Sequence, residues 1–215
     1  MNNLPNQFFY SKKEDRLNVL SHGFGFVLSI IGLVFLINKG LQNFNLTYFI
    51  SLLIYGLSLS TMYIASTLYH NSKTANSRYN LRMFDMISIY ILIAGSYTPF
   101  TLILLKDNQG WLLFTIIWLL AFFGIAWKIF TVGKYNLVTT SLYIFMGGLW
   151  LFFYESFVNQ IPSDALWWIT AGCLTYLAGV IFYLLDNKLK YNHFIWHLFV
   201  LAASGCHYIS IYFYI

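Results

Sequence analysis

WLLFTIIWLLAFFGIAWKIF, residues 111–130, decides what kind of protein this is. At about 1.5 Å per residue a helix of this length is about 30 Å long, the thickness of the hydrocarbon core of a bilayer. Its one charge, Lys128, stands near the end, and the stretch has no polar face to turn toward water. Stretches of the same kind lie on both sides of it, at Leu20–Ile37, Leu46–Tyr69, Met83–Leu105, Leu137–Tyr154, Ala165–Leu185 and His193–Tyr214. With 59% hydrophobic, 21% aromatic and only 9% charged residues among 215, the chain has too little polar surface for a soluble domain of its size. The expected fold is an all-α, polytopic seven-transmembrane helix bundle. Connections of a few to about a dozen residues leave no room for a second domain, so residues 1–215 are read as one domain, with 1–15 as a cytoplasmic N-terminal segment.

The first apolar stretch exceeds the ~7 to 15 residues of a signal-peptide core, and no small-residue cleavage pattern follows, so it is expected to stay as a span. Orientation follows from Lys and Arg, which keep loops cytoplasmic. Ten of the twelve fall at one face: Lys12, Lys13 and Arg16 at the N-terminus, Lys73, Arg78 and Arg82 in the second loop, Lys128 and Lys134 in the fourth, Lys188 and Lys190 in the sixth. Lys39 and Lys106 remain for the other. The N-terminus is therefore expected inside and the C-terminus outside. This bias and anionic headgroups account for the net charge of +5, which is no argument for nucleic acid. Cys173 and Cys206 both lie within spans and form no CxxC motif, so they read as inert packing residues.

That orientation gives depth to the polar residues. His70 closes the second span at its inner end, His193 and His197 open the seventh, and His22 stands near the start of the first. His193 and His197, four apart, project from one helix face, the spacing at which two imidazoles share one ion. Alone, such a pair is as readily two interfacial histidines. With His70 on the same membrane face, three neutral nitrogens and one oxygen complete a tetrahedral zinc site.

Ser66, one turn before His70, reads either as a hydroxyl orienting the chemistry at the site or as a serine bonded to its own helix. Asp85 is an ionisable group inside a span, a costly placement that calls for a partner. Arg82 offers one, but a role at the metal, holding or deprotonating the water, is favoured. Glu14, Asn18 and His22 are spaced by four and form a supporting stripe. Ser11-Lys12-Lys13-Glu14 also reads as a capping box, with Glu14 reaching back to Ser11. His207, ten residues past His197, lies about 15 Å deeper and is set outside the ligand group. Pro99 is expected to bend the third span with Gly95 permitting the bend, and Gly147-Gly148 reads as close helix packing.

Zinc with three protein ligands and one open position acidifies a water and polarises a carbonyl, the apparatus of hydrolysis. The glutamate of an HExxH motif has no counterpart, since Phe194 follows His193, and Asp85 is left as the base. A site opening toward the inner leaflet suits a lipid amide or ester.

Glu14-Asp15-Arg16-Leu17-Asn18-Val19-Leu20-Ser21-His22-Gly23, Ser66 with His70, Asp85 with Tyr97-Thr98-Pro99-Phe100, and His193 with His197 together resemble the bacterial hemolysin III family. That family is similar to the progestin and adiponectin receptors, within a superfamily that includes the alkaline ceramidases. The resemblance covers nearly the whole chain. It implies seven helices with a cytoplasmic N-terminus in the bacterial inner membrane, zinc held by His70, His193 and His197, and Asp85 and Ser66 at the water-holding and supporting positions. The longer N-terminal domain of the animal receptors has no counterpart here.

Three functions fit: a zinc-dependent lipid hydrolase of the ceramidase kind, a non-catalytic regulator of membrane lipids with structural zinc, and a pore-forming cytolysin. No protein partner is indicated. The last is disfavoured because polar residues gather at the inner ends, leaving only scattered Ser and Thr with His207 and Ser210 to line a path. A retinal protein would need a lysine in the last span, and residues 193–215 have none.

Overall fold

The computed structural model describes residues 10–43, 45–105, 108–186, 188 and 190–215. Residues 1–9 of the expected N-terminal segment, and Lys106, lie outside these. Among the described residues eight α-helices follow in order: α1 Lys12–Gln42, α2 Leu46–Asn71, α3 Ala75–Pro99, α4 Asn108–Phe130, α5 Asn136–Gly148, α6 Tyr154–Gln160, α7 Ser163–Leu184 and α8 Asn192–Tyr214. A π-helical turn, Phe100–Leu104, extends α3, and a 3₁₀ segment, Leu149–Phe153, joins α5 to α6. These make seven spans long and apolar enough to cross a membrane, and no strand occurs among the described residues. The protein is an all-helical, multi-pass membrane protein.

The first and third spans start well ahead of their apolar cores, because capped polar turns carry the helix beyond the greasy stretch. Ser11, Asn45 and Thr74 accept from the backbone of Glu14, Tyr48 and Ser77 and so start α1, α2 and α3. Residues 12–15 therefore belong to α1 rather than to a separate tail, and Arg78, Arg82 and Lys128 sit on helices rather than in loops.

The helices pack in chain order, α1 on α2, α2 on α3, α3 on α4, and α7 on α8, with α8 returning against α1. The outside is greasy, with Phe130, Phe152 and Trp167 among its most exposed side chains. The inside is also largely apolar, with Leu52, Tyr55, Leu113, Ile117 and Ile211 among its fully buried side chains, and small polar residues interspersed there bond to their own helices, as Ser58 does to Tyr55 O, Ser60 to Gly56 O and Thr98 to Ala94 O. This suits a hydrocarbon solvent, where helices gain from close packing around small residues.

The glycines divide by what surrounds them. Beside its expected place at the bend, Gly95 has a packing role. A Cβ there would stand 2.7 Å from the Cβ of Ser58, so it is where α3 presses on α2. Neither side can retreat without parting the helices, and Gly95→Ala is expected to cost about 2 kcal/mol. The measurement is the thermal unfolding midpoint in detergent.

A Cβ added at Gly147 or Gly148 would meet nothing within 4 Å, so neither glycine makes room for a neighbouring helix. They mark a break, where α5 gives way to the 3₁₀ segment and Tyr97 Oη bonds the carbonyls of Met146 and Gly147 and the amide of Trp150. After Pro99, which has no N–H to give, the ladder widens to the π turn, with Leu105 N bonding Phe100 O at 2.9 Å.

Candidate metal centre

The end of α2 and the starts of α1, α3 and α8 share one end of the bundle, and there the structure brings His70, His193 and His197 together. All three are buried, and one ring nitrogen from each lies within 4.8 Å of the others. Ring centroids are 4.8–5.0 Å apart. Small side-chain rotations bring such nitrogens to the ~2.0–2.1 Å that a metal ion requires. The group can hold a metal.

The neighbours of each ring indicate its tautomer. Tyr10 spends its one hydroxyl proton on Asp186 Oδ2 at 2.6 Å. Its contact with His193 Nδ1 at 2.9 Å must therefore run from a protonated Nδ1, which also points at Asp186 Oδ2 at 3.2 Å. Ser21 likewise donates to Asn18 O at 3.0 Å, so at 3.1 Å it can only accept from His197 Nδ1. His70 Nδ1 faces the Asp15 carboxylate at 3.2 Å, again an acceptor.

Each imidazole is thus held in the Nδ1–H tautomer by a neighbour, leaving the Nε2 lone pair to bind. Nε2 of His70 is buried without a hydrogen-bond partner, the kind of orphan that an ion would satisfy. Asn18 brings Nδ2 to 3.4 Å from His70 Nδ1 while its own Oδ1 is buried without a partner. The amide rotamer with Oδ1 toward His70 satisfies both groups.

Tyr10 lies just ahead of α1, where burial raises its phenol well above the usual tyrosine pKa. It keeps its proton at neutral pH, as its bond to Asp186 requires.

The α1 stripe does more than the spacing suggested. Ser11 caps Glu14 N at 3.2 Å, but the Glu14 side chain does not complete the capping box; its Oε1 accepts from Tyr191 N at 3.0 Å, the residue that caps α8. Glu14 therefore fastens α1 to the turn that starts the His193–His197 helix. His22 stacks on His197 with ring centroids 3.5 Å apart and planes 9° apart, and meets Tyr63 edge-on. Both nitrogens of His22 are buried without a partner.

Asp85 lies half-buried on α3, with the Ser66 hydroxyl of α2 beside its carboxylate and His193 within electrostatic reach. His207 stays apart, packed on α7 against Gly172, Cys173 and Tyr176. The two cysteines are free thiols.

Four groups at the centre escaped the sequence reading: Tyr10, Asp15, Ser21 and Asp186. One signal was available for Asp15, which shares a helix face with Asn18 and His22 at i, i+3 and i+7. The rule that a metal-binding imidazole gives its other N–H to a carboxylate directs attention to acidic residues at the same membrane end, Asp15 and Asp186 among them.

Oδ1 of Asp15 also accepts from Arg78 Nη2 at 2.7 Å, so one oxygen anchors a histidine and a buried guanidinium. Asp15→Ala is expected to destabilise the protein by about 2 kcal/mol, and Asp15→Asn, which keeps an acceptor oxygen, by less. Thermal unfolding of the two variants in detergent checks this order.

The family model described as "Haemolysin-III related" matches residues 10–208. The chain is 37% identical to "Hemolysin-3" of Bacillus cereus over 203 residues, 94% of this chain and 92% of that protein. It is 36% identical to the "Hemolysin-3 homolog" of Bacillus subtilis (strain 168), covering 95% and 96%. It is also 32% identical to the human "Monocyte to macrophage differentiation factor" over 171 residues, 75% of this chain and 69% of that protein. No solved structure matches the chain significantly.

Proposed function

The chain belongs to the haemolysin-III related family, and on that premise we propose that it is a zinc-dependent membrane hydrolase acting on a lipid amide or ester. We place it as a single domain in the bacterial cytoplasmic membrane, N-terminus inside, on the strength of its loop charges. The observation that carries the reading is the convergence of three imidazoles, each with its Nδ1 proton already committed, beside a carboxylate that is not one of the three. Zinc is favoured over other divalent ions because three neutral imidazoles, with a fourth position left for water, suit it.

When bound, zinc supplies a polarised carbonyl and a more acidic water. The chain's own residues do the rest. His70, His193 and His197 hold the ion, and Asp15, Ser21 and the Tyr10–Asp186 pair keep their rings turned inward. Asp85 takes a proton from the attacking water and returns it to the leaving amine or alcohol. Ser66 donates to the carboxylate and orients it. The greasy outer surface lets an acyl chain approach from the bilayer while the reacting bond reaches the polar end.

The test is purified protein, loaded with zinc in detergent and given a ceramide-like amide and a matching ester, with free fatty acid as the readout. Release that needs the metal supports the reading. Full metal content with no release from either substrate overturns it in favour of a lipid-regulating protein with structural zinc. The printed name of the Bacillus relatives keeps a pore in view, and dye leakage from liposomes carrying the protein would decide for one.

A further inference from the structure

We propose that Tyr10 is a latch over the histidine centre, and that its release is the step by which the metal ion passes in and out. The inference rests on the metal reading above. It comes from where Tyr10 stands and from how little holds it.

Ser11, the residue that caps α1, is extended, with φ −61° and ψ 150°, so the chain leaves the helix axis at this point. Tyr10 is thereby laid across the end of the bundle. Its ring lies 4.7 Å from that of His193 and 5.5 Å from that of His70, tilted by 33° and 44°. One flat side chain covers two of the three histidines.

The groups on the other two histidines, Asp15, Asn18 and Ser21, sit on α1, a helix further fixed by Glu14 to the α8 cap. Tyr10 lies outside any helix. So does Asp186, in the turn after α7. Among the described residues the two irregular segments meet through the hydroxyl-to-carboxylate bond of 2.6 Å, and the same hydroxyl accepts from His193 Nδ1 at 2.9 Å. Swinging Tyr10 aside breaks these two bonds, leaves His193 Nδ1 the Asp186 carboxylate as its partner, and bares His70 and His193 without disturbing any helix; irregular segments with few bonds open at the lowest free-energy cost. An ion bound by three buried imidazoles needs such a path, since helix parting is far costlier.

A cover and a mere support differ in kinetics. A support lost raises the release rate alone and weakens affinity. A cover lost speeds release and uptake together and leaves affinity nearly unchanged. The experiment uses the full chain in detergent: zinc release into an excess of a coloured chelator and zinc uptake by the stripped protein, for wild type, Tyr10→Phe and Tyr10→Ala. Tyr10→Ala is expected to speed both rates about tenfold or more, and Tyr10→Phe, which keeps the ring and loses the latch bond, by a few-fold. Rates within about twofold of wild type in a metal-holding Tyr10→Ala, or faster release with unchanged uptake, overturn the latch. Should Tyr10→Ala fail to fold, the same criteria apply to Tyr10→Phe. A wild-type chain that takes up no metal overturns the parent reading, and the latch with it, whereas a metal-binding wild type with indifferent Tyr10 variants overturns the latch alone.

Discussion

Replacing His70, His193 or His197 by Ala is expected to cut bound zinc from one ion per chain to about a tenth or less, because three neutral imidazoles leave no spare ligand. The three nitrogens come from the end of one helix and the first two turns of another, and no fourth histidine takes their place. His22 stacks face-on against His197 and is not one of the three residues whose ligand atoms converge. His207 packs against α7, away from the group, so His207→Ala should keep its metal and serves as the control. Elemental analysis of detergent-purified protein reads the ratio. Full occupancy in any of the three variants would remove that histidine from the ligand set. A second readout accompanies it. An ion bound only by the folded chain stabilises it by mass action, so excess zinc should raise the unfolding midpoint of wild type and of His207→Ala but not of the three ligand variants.

Asp85→Asn is expected to lower turnover of a lipid amide by about a thousandfold while leaving zinc at one ion per chain. The amide is almost isosteric and still receives a hydrogen bond from Ser66, so the packing between α2 and α3 is preserved. It has no basic oxygen to accept a proton from water, and the step that needs one fails. Ser66→Ala should act in the same direction and more weakly, about tenfold, since it withdraws an orienting bond and leaves the base in place. The discriminating measurement pairs free fatty acid production with metal content on the same sample. If turnover and zinc fall together, Asp85 belongs to the metal-holding group rather than to the proton transfer. If neither falls, the hydrolytic assignment of Asp85 is wrong.

Much of the fold was legible from apolar length alone. A hydrocarbon solvent forces every backbone group into internal hydrogen bonds, so each long greasy stretch has one available structure. Trp111–Phe130 lies inside α4 and His193–Tyr214 inside α8 for that reason. The starts of the first and third spans were less legible, because Ser11 and Thr74 cap helices that begin ahead of the apolar core. Gly147-Gly148 was misread, and the packing role of Gly95 missed, because a glycine reports only that a side chain is absent. Whether a neighbour fills the space, as Ser58 does at Gly95, or none does, as at Gly147, depends on how the helices cross.

For the candidate centre the division is similar. His193 and His197 are placed on one face by helical periodicity, and His70 is brought to the same membrane end by the parity of the spans; both are one-dimensional rules applied to 215 letters. The partners of the ring Nδ1 atoms obey no such rule. Asp15 meets His70 across 55 positions, and Tyr10 meets His193 across 183. Their hydroxyl and carboxylate are ordinary helix-end residues until α8 closes against α1. The sequence by itself determined that this chain crosses a membrane seven times with four of its five histidines toward one end, because lipid leaves the backbone no alternative. Only the tertiary structure decided which groups meet the ring nitrogens of those histidines, because hydrogen bonds of about 3 Å are directional and depend on how helices distant in sequence come to rest against one another.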